Sequence, residues 1–189
     1  MTRIVGIDLG AQGAVALLDG DGHLVHVADL PVLVDGPRSR PSVNPALFAT
    51  IVREWCPDRA YIEFVSSRPT DSHMSAFAFG QAKGVVVATL ATLGVGHEFI
   101  AVSVWKRMFG IPPGTGQKNT ARADAVRRWP AHADRFARVC DDGRAEACLI
   151  GLAGLLRSSR LSAESSGPER EVGAQDSGGY RGGYESQHR

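Results

Sequence analysis

The first thirty residues place the strongest limit on what this chain can fold into. Residues 3–9 (RIVGIDL), 13–19 (GAVALLD) and 23–30 (HLVHVADL) are rich in β-forming side chains and are separated by very short breaks. The AQG break and the Gly20-Asp21-Gly22 turn are hairpin punctuation, so the three segments read as an antiparallel meander. Downstream the pattern changes. Arg59–Val65 (RAYIEFV) and 97–103 (HEFIAVS) are further strands, each separated from the last by a helical stretch, as parallel pairing through crossovers requires. The order β-β-β-α-β-α-β-α-α predicts an α/β fold: a mixed five-stranded sheet flanked by helices.

The connecting segments fit that plan. Residues 31–43 carry Pro31, Pro37 and Pro41 and read as a surface loop. Asn44 is an N-cap with Pro45 at the first helical position, opening a helix that runs to about Trp55. Residues 72–94 form a long apolar helix in which Ala78, Ala82 and Gly84 suit close packing. A Gly/Pro loop at 110–117 precedes a basic helix over 119–129, and the last helix covers 143–159. Beyond Ser162 aliphatic residues almost vanish. The chain therefore divides into a folded domain, 1–162, and a disordered Ser/Gly/Arg-rich tail, 163–189.

Composition narrows the class. A chain of 189 residues, 43% hydrophobic and 22% charged, suits one soluble domain and is short for two. It has no run of eighteen apolar residues, so no membrane span is expected. The opening MTRIVGIDLG enters a strand directly and does not resemble a signal peptide. Cys56, Cys140 and Cys148 form no CxxC, and the six histidines show no zinc spacing. Reduced thiols in a cytoplasmic protein are expected, with Cys148 in the core.

The net charge of +1 hides a local excess. Between Lys106 and Arg138 stand Lys106, Arg107, Lys118, Arg122, Arg127, Arg128, Arg135 and Arg138 against Asp124 and Asp134. A phosphate-binding surface needs such a stretch, although a solvated helical face has the same composition.

Four acids carry the chemistry. Asp8 interrupts an apolar strand (IVGIDLG) and Glu63 interrupts another (AYIEFV). A carboxylate buried there without a partner costs several kcal/mol. An edge position or a salt bridge would explain either one alone; two, each near a strand's carboxyl end, fit a shared metal site. Asp142 and Glu146 lie four apart at the start of the last helix, on one face, where the helix dipole alone also favours acids. Oxygen ligands without His or Cys select Mg²⁺ or Mn²⁺ over zinc. Such a set suits two-metal, in-line phosphodiester hydrolysis, with metals about 4 Å apart and lysines neutralising the developing charge.

On these motifs the sequence resembles the RuvC family of Holliday-junction resolvases, of phage or prophage type, across residues 3–158. The matching stretches, in order, are GIDLGAQGAVALLD, YIEFV, FGQAKGVV, VWKRMFGIPPGTGQKNTARADAV and DDGRAEACLIGLAG. The resemblance implies an RNase H-like fold, metal binding by Asp8, Glu63 and Glu146, and Lys106 and Lys118 near the cut phosphate. It also implies a homodimer acting on four-way DNA junctions by paired nicks, two active sites facing two opposed strands, with no small-molecule cofactor. Arg107, Arg122 and the loop residue Arg68 are further candidate DNA contacts.

Two departures stand out. Many family members place the last two acids three apart, which would put the first at Gly143; here the candidate is Asp142, with Asp141 as the substitute. The family often carries an aromatic shortly after the second acid. This chain has Ser66 and Ser67 there, with Phe64 expected to face the core. Trp105 is read either as a base-stacking residue or as packing beside Met108 and Phe109. GIDLGAQG also resembles the first phosphate loop of sugar-kinase and actin-type ATPases, but those need two such domains. A non-catalytic DNA-binding relative, and a nuclease for forks, flaps or RNA–DNA hybrids, are the other readings.

Overall fold

The computed structural model describes residues 1–10, 12–34, 41–66, 72–113 and 118–165. Five strands form one sheet: β1 (Arg3–Asp8), β2 (Ala14–Asp19), β3 (Leu24–Asp29), β6 (Arg59–Phe64) and β7 (Gly96–Ala101), in the order β3-β2-β1-β6-β7. The β1–β2 and β2–β3 pairs are antiparallel, whereas β1–β6 and β6–β7 are parallel. The expected mixed five-stranded sheet is therefore present.

Alternation along the strands builds two cores. Ile4, Ala16, Tyr61 and Ile100 face α5 (Asp142–Ser165), together with Trp105 of α3 (Val102–Met108) and α4 (Lys118–Arg128). Val5, Ile7, Leu17 and Ile62 face the other way, toward α1 (Pro45–Trp55) and α2 (His73–Thr92). β1 is buried on both faces, which explains its almost unbroken apolar run.

Local chemistry sets several boundaries. Asn44 accepts from the backbone N–H groups of Ala46 and Leu47, and Pro45 opens α1. α1 ends where Cys56 adopts a left-handed φ of 45°. α5 lies close on β1 because Gly6 has no side chain: a Cβ there would come within 2.1 Å of the Ala147 carbonyl.

Some expectations change. Within the predicted loop 31–43, β4 (Val32–Leu33) and β5 (Ser42–Val43) pair as a small antiparallel ribbon. α5 runs to Ser165, because a helix already nucleated extends through Leu161, Ser162 and Ala163 at little cost. Most of the predicted tail lies outside the described residues. Ala78 and Ala82 border an apolar cavity of about 270 Å³ shared with Val43 and Phe79, whereas Gly84 is exposed and a Cβ added there would meet nothing within 4 Å outside its own helix. α2 is long and apolar enough to cross a membrane by length and composition alone; here Val86 and Leu90 bury its C-terminal half in the core.

Candidate metal centre

Strand register brings the acids together. Asp8 pairs with Ala14, and Ala14 pairs with Asp29. On the other side Ile7 pairs with Ile62, so Asp8 and Glu63 are the next residues of two adjacent parallel strands, and Glu63 pairs with Ile100. Asp29, Ala14, Asp8, Glu63 and Ile100 thus form one row across the sheet on the face that α5 covers. From α5, Glu146 joins the middle of that row. One carboxylate oxygen from each of Asp8, Glu63 and Glu146 lies within 4.8 Å of the others.

Asp8 and Glu63 are only 9% and 7% exposed. Burial raises the Glu63 carboxyl above its ordinary range, against the opposing pull of a Trp105 hydrogen bond and the Lys106 charge. Trp105 is fully buried and donates its indole N–H to Glu63 Oε1 at 3.0 Å. Of the two readings of Trp105, packing is the one observed, and its polar edge serves the acid cluster. Sequence reasoning missed that role, since the partner lies 42 residues away and no local spacing signals it. The Lys106 ammonium stands 3.9 Å from Glu146 Oε1 and over the Trp105 ring.

The start of α5 separates the neighbouring aspartates. Asp141 is almost fully buried and accepts from the Arg138 side chain and backbone N–H, with Arg144 3.5 Å away. The Arg138 hydrogen bond holds its carboxyl below the usual range. Asp141 is therefore committed to arginines. Asp142 is also buried, at 7% exposure, but is not one of the three acids in the cluster. The three-apart acid of other sequences has no room here. A Cβ on Gly143 would meet the Gln12 carbonyl at 2.3 Å and Asp8 Oδ2 at 3.1 Å.

The basic residues divide as well. Arg107 is exposed on α3. Lys118 opens α4, one residue before the predicted start, and its side chain lies outside the described residues, as does Arg68 altogether. Arg122 donates to the carbonyls of Phe136, Ala137 and Arg138 and to Asn119, so it ties α4 to the following segment. Arg127 and Arg128 both pair with Asp124. Much of the local basic excess is thus already engaged within the fold.

Phe64 corrects the sequence reading. It is 44% exposed, packed edge-on against Phe99 beneath the Lys83 ammonium. Ile62, on the same strand face, is fully buried, whereas Phe64 is the last residue of β6 and lies partly in solvent.

The acid cluster fits a divalent cation. At this spacing each pair of carboxylates repels by roughly 3 kcal/mol at an effective dielectric near 20. Burial adds a desolvation cost, and hard oxygens are the preferred donors of Mg²⁺ and Mn²⁺. A second grouping, Asp19, Asp21 and His23, lies in the β2–β3 turn, where Asp19 accepts from the backbone N–H groups of the other two.

Neither a protein-family model nor a curated protein matches the sequence. Solved structures do. The structure titled Thermus thermophilus RuvC in complex with Holliday junction substrate aligns at TM-score 0.54 and 15% identity, covering 84% of this chain and 96% of that one. Another Thermus thermophilus RuvC structure gives 0.56 and 16%, covering 85% and 97%. The yeast mitochondrial Holliday junction resolvase Ydc2 gives 0.55 and 13%, covering 87% and 84%. At these identities the likeness is one of fold. The sheet and its flanking helices form the RNase H-like arrangement of RuvC.

Proposed function

We propose, from a RuvC-type fold with three clustered carboxylates, that this chain is a divalent-metal-dependent, structure-selective DNA endonuclease that resolves four-way junctions as a homodimer. The observation that carries the reading is the meeting of Asp8, Glu63 and Glu146 within 4.8 Å at the carboxyl ends of two parallel strands and the start of a helix. The solved neighbours, one in complex with a Holliday junction substrate and one named a Holliday junction resolvase, add fold-level support only.

Asp8, Glu63 and Glu146 would hold Mg²⁺ or Mn²⁺, with Asp142 assigned as the fourth acid. Bound ions of this kind supply an activated water and a stabilised leaving oxygen for in-line hydrolysis, in the two-ion form. The chain's own groups do the rest. Trp105 fixes the Glu63 carboxylate and closes its buried side to water. Lys106, 3.9 Å from Glu146, is assigned to a phosphate at the same centre. Lys118 is assigned to the same phosphate from the start of α4. Exposed Arg107 and Arg68 of the segment outside the described residues are assigned to the DNA backbone. Arg122, occupied by carbonyl groups, contributes by holding α4 in place.

The test incubates the protein and an Asp8→Asn variant with a mobile four-way junction, a fork, an RNA–DNA hybrid and a linear duplex, with Mg²⁺ or Mn²⁺. Symmetric paired nicks on the junction alone, absent in the variant, support the reading. Equal cutting of the linear duplex removes junction selectivity; no metal-dependent cleavage of any substrate removes the nuclease. Sedimentation gives the assembly: a dimer runs at twice the 20.1 kDa chain mass.

A further inference from the structure

The acid cluster is built partly from a helix, so something must hold the first turn of α5 down against the sheet. Mutual repulsion of Asp8, Glu63 and Glu146 pushes the other way. Two contacts resist it. On one side Gly143 seats against the Gln12 carbonyl and Asp8, with no space for a side chain. On the other, Arg144 forms a two-pronged pair with Asp29: Nε to Oδ1 at 2.6 Å and Nη2 to Oδ2 at 2.7 Å. Arg144 is mostly shielded from solvent, with its side chain 17% exposed. Its third nitrogen, Nη1, lies 3.5 Å from Asp141 Oδ1 and from the Arg135 carbonyl.

The position of Asp29 gives this pair its meaning. Asp29 stands on the same cross-strand row as Asp8, with only Ala14 between them. Two strand spacings put the two acids about 10 Å apart. Arg144 lies between Asp142 and Glu146 in sequence. The helical turn that brings Glu146 over the middle of the row is therefore pinned at the end of that row. A fork-to-carboxylate pair fixes direction as well as distance, which a single ammonium cannot do.

We infer that Arg144 and Asp29 form a clamp that positions Glu146 against Asp8 and Glu63. They are positioning residues for the metal centre and touch neither metal nor DNA. The inference rests on the metal-centre reading above. It predicts a particular pattern of loss: weaker metal affinity, with little change in the stability of the metal-free fold, since pairs this near the surface add little stability.

The experiment measures Mn²⁺ affinity without DNA, by the paramagnetic resonance signal of the free ion, in the full-length protein. Arg144→Gln and Asp29→Asn are each expected to weaken Mn²⁺ binding about 10-fold, the usual effect of losing an outer support of a metal site. The double variant should be no weaker than either single one, because both remove the same contact. Arg144→Lys, which keeps the charge but not the fork, should fall between wild type and Arg144→Gln. Arg59→Gln, which breaks an exposed pair with Glu98 at the far end of the strands, should change nothing. If Arg144→Gln fails to fold, Asp29→Asn decides, since Asp29 is 60% exposed. Unchanged Mn²⁺ affinity in the variants, or additive losses in the double, overturns the clamp and leaves the metal centre standing. Absence of Mn²⁺ binding by the wild type overturns both.

Discussion

The two faces of the sheet are built differently. On the α5 face, backbone meets backbone: Gly6 lies against Ala147 and Gly151, and Gly143 against Gln12. All three clustered acids are on this face, as is the indole that orients one of them. On the α2 face, large aliphatic side chains fill the space near Val86 and Leu90. The N-terminal half of the helix leaves Met74 and Phe77 mostly exposed, and a Cβ added at Gly80 or Gly84 would meet open space. Ligand geometry to within a fraction of an ångström needs the first kind of packing; the second is enough to bury a sheet. The acid cluster sits where the chain has no slack.

The same class of substitution should therefore have opposite effects on the two faces. Gly6→Ala drives a methyl into the Ala147 carbonyl at 2.1 Å and should cost about 3 kcal/mol or more, read as a fall in the urea midpoint. A loss under about 1 kcal/mol would mean that α5 is not held tightly. Next in size is Trp105→Phe. Without the indole N–H, the buried Glu63 carboxylate loses a hydrogen bond, a cost of roughly 1–3 kcal/mol at neutral pH. Below the titration of Glu63 the penalty should shrink, because a neutral carboxyl needs the bond less.

Glu63→Gln sharpens the contrast from the opposite direction. Burial raises the folded-state titration of Glu63 above its ordinary 4.5. A raised folded value means that the native state holds the proton more tightly. The contribution of Glu63 to stability is then fully present below the unfolded value and lost as pH rises through the folded one. Metal-free Glu63→Gln, which keeps the Trp105 hydrogen bond, should match the wild type at low pH. It should melt roughly 2–4 °C higher at neutral pH. Added Mn²⁺ should reverse the order. Equal melting at all pH values would show that burial of this carboxylate is not a cost. The smallest effect belongs to α2: Gly84→Ala fills empty space and should stabilise by roughly 1 kcal/mol through helix propensity alone. Destabilisation instead would show that this face is covered in solution.

Much of this was readable from local pattern. Hairpin turns and alternating strands specify the sheet, and acids placed in apolar strands mark Asp8 and Glu63 because their burial needs a reason. What the pattern does not carry is direction at the ends of elements and partnership over long separations. Phe64 follows the alternation that buries Ile62, yet lies partly in solvent because β6 ends there. Arg122 is a candidate DNA contact by sequence, but it donates to carbonyl groups 14 to 16 residues on and to Asn119. Asp141 and Asp142 are indistinguishable as letters; only the fold gives the first to Arg138. The unusual spacing of Asp142 and Glu146 has a steric counterpart, since position 143 admits only glycine.

If Asp8, Glu63 and Glu146 form a metal centre for cutting branched DNA, separate from the surface that binds it, cleavage and binding must respond differently to loss of a single acid. Asp8→Asn and Glu146→Gln, assayed side by side for junction cleavage with Mg²⁺ and for junction binding without it, test this most directly. Cleavage should fall at least about 1,000-fold, some 4 kcal/mol of transition-state stabilisation, with junction affinity within about twofold of wild type. Cleavage that survives in both variants, or binding and cleavage lost in equal measure, would contradict it.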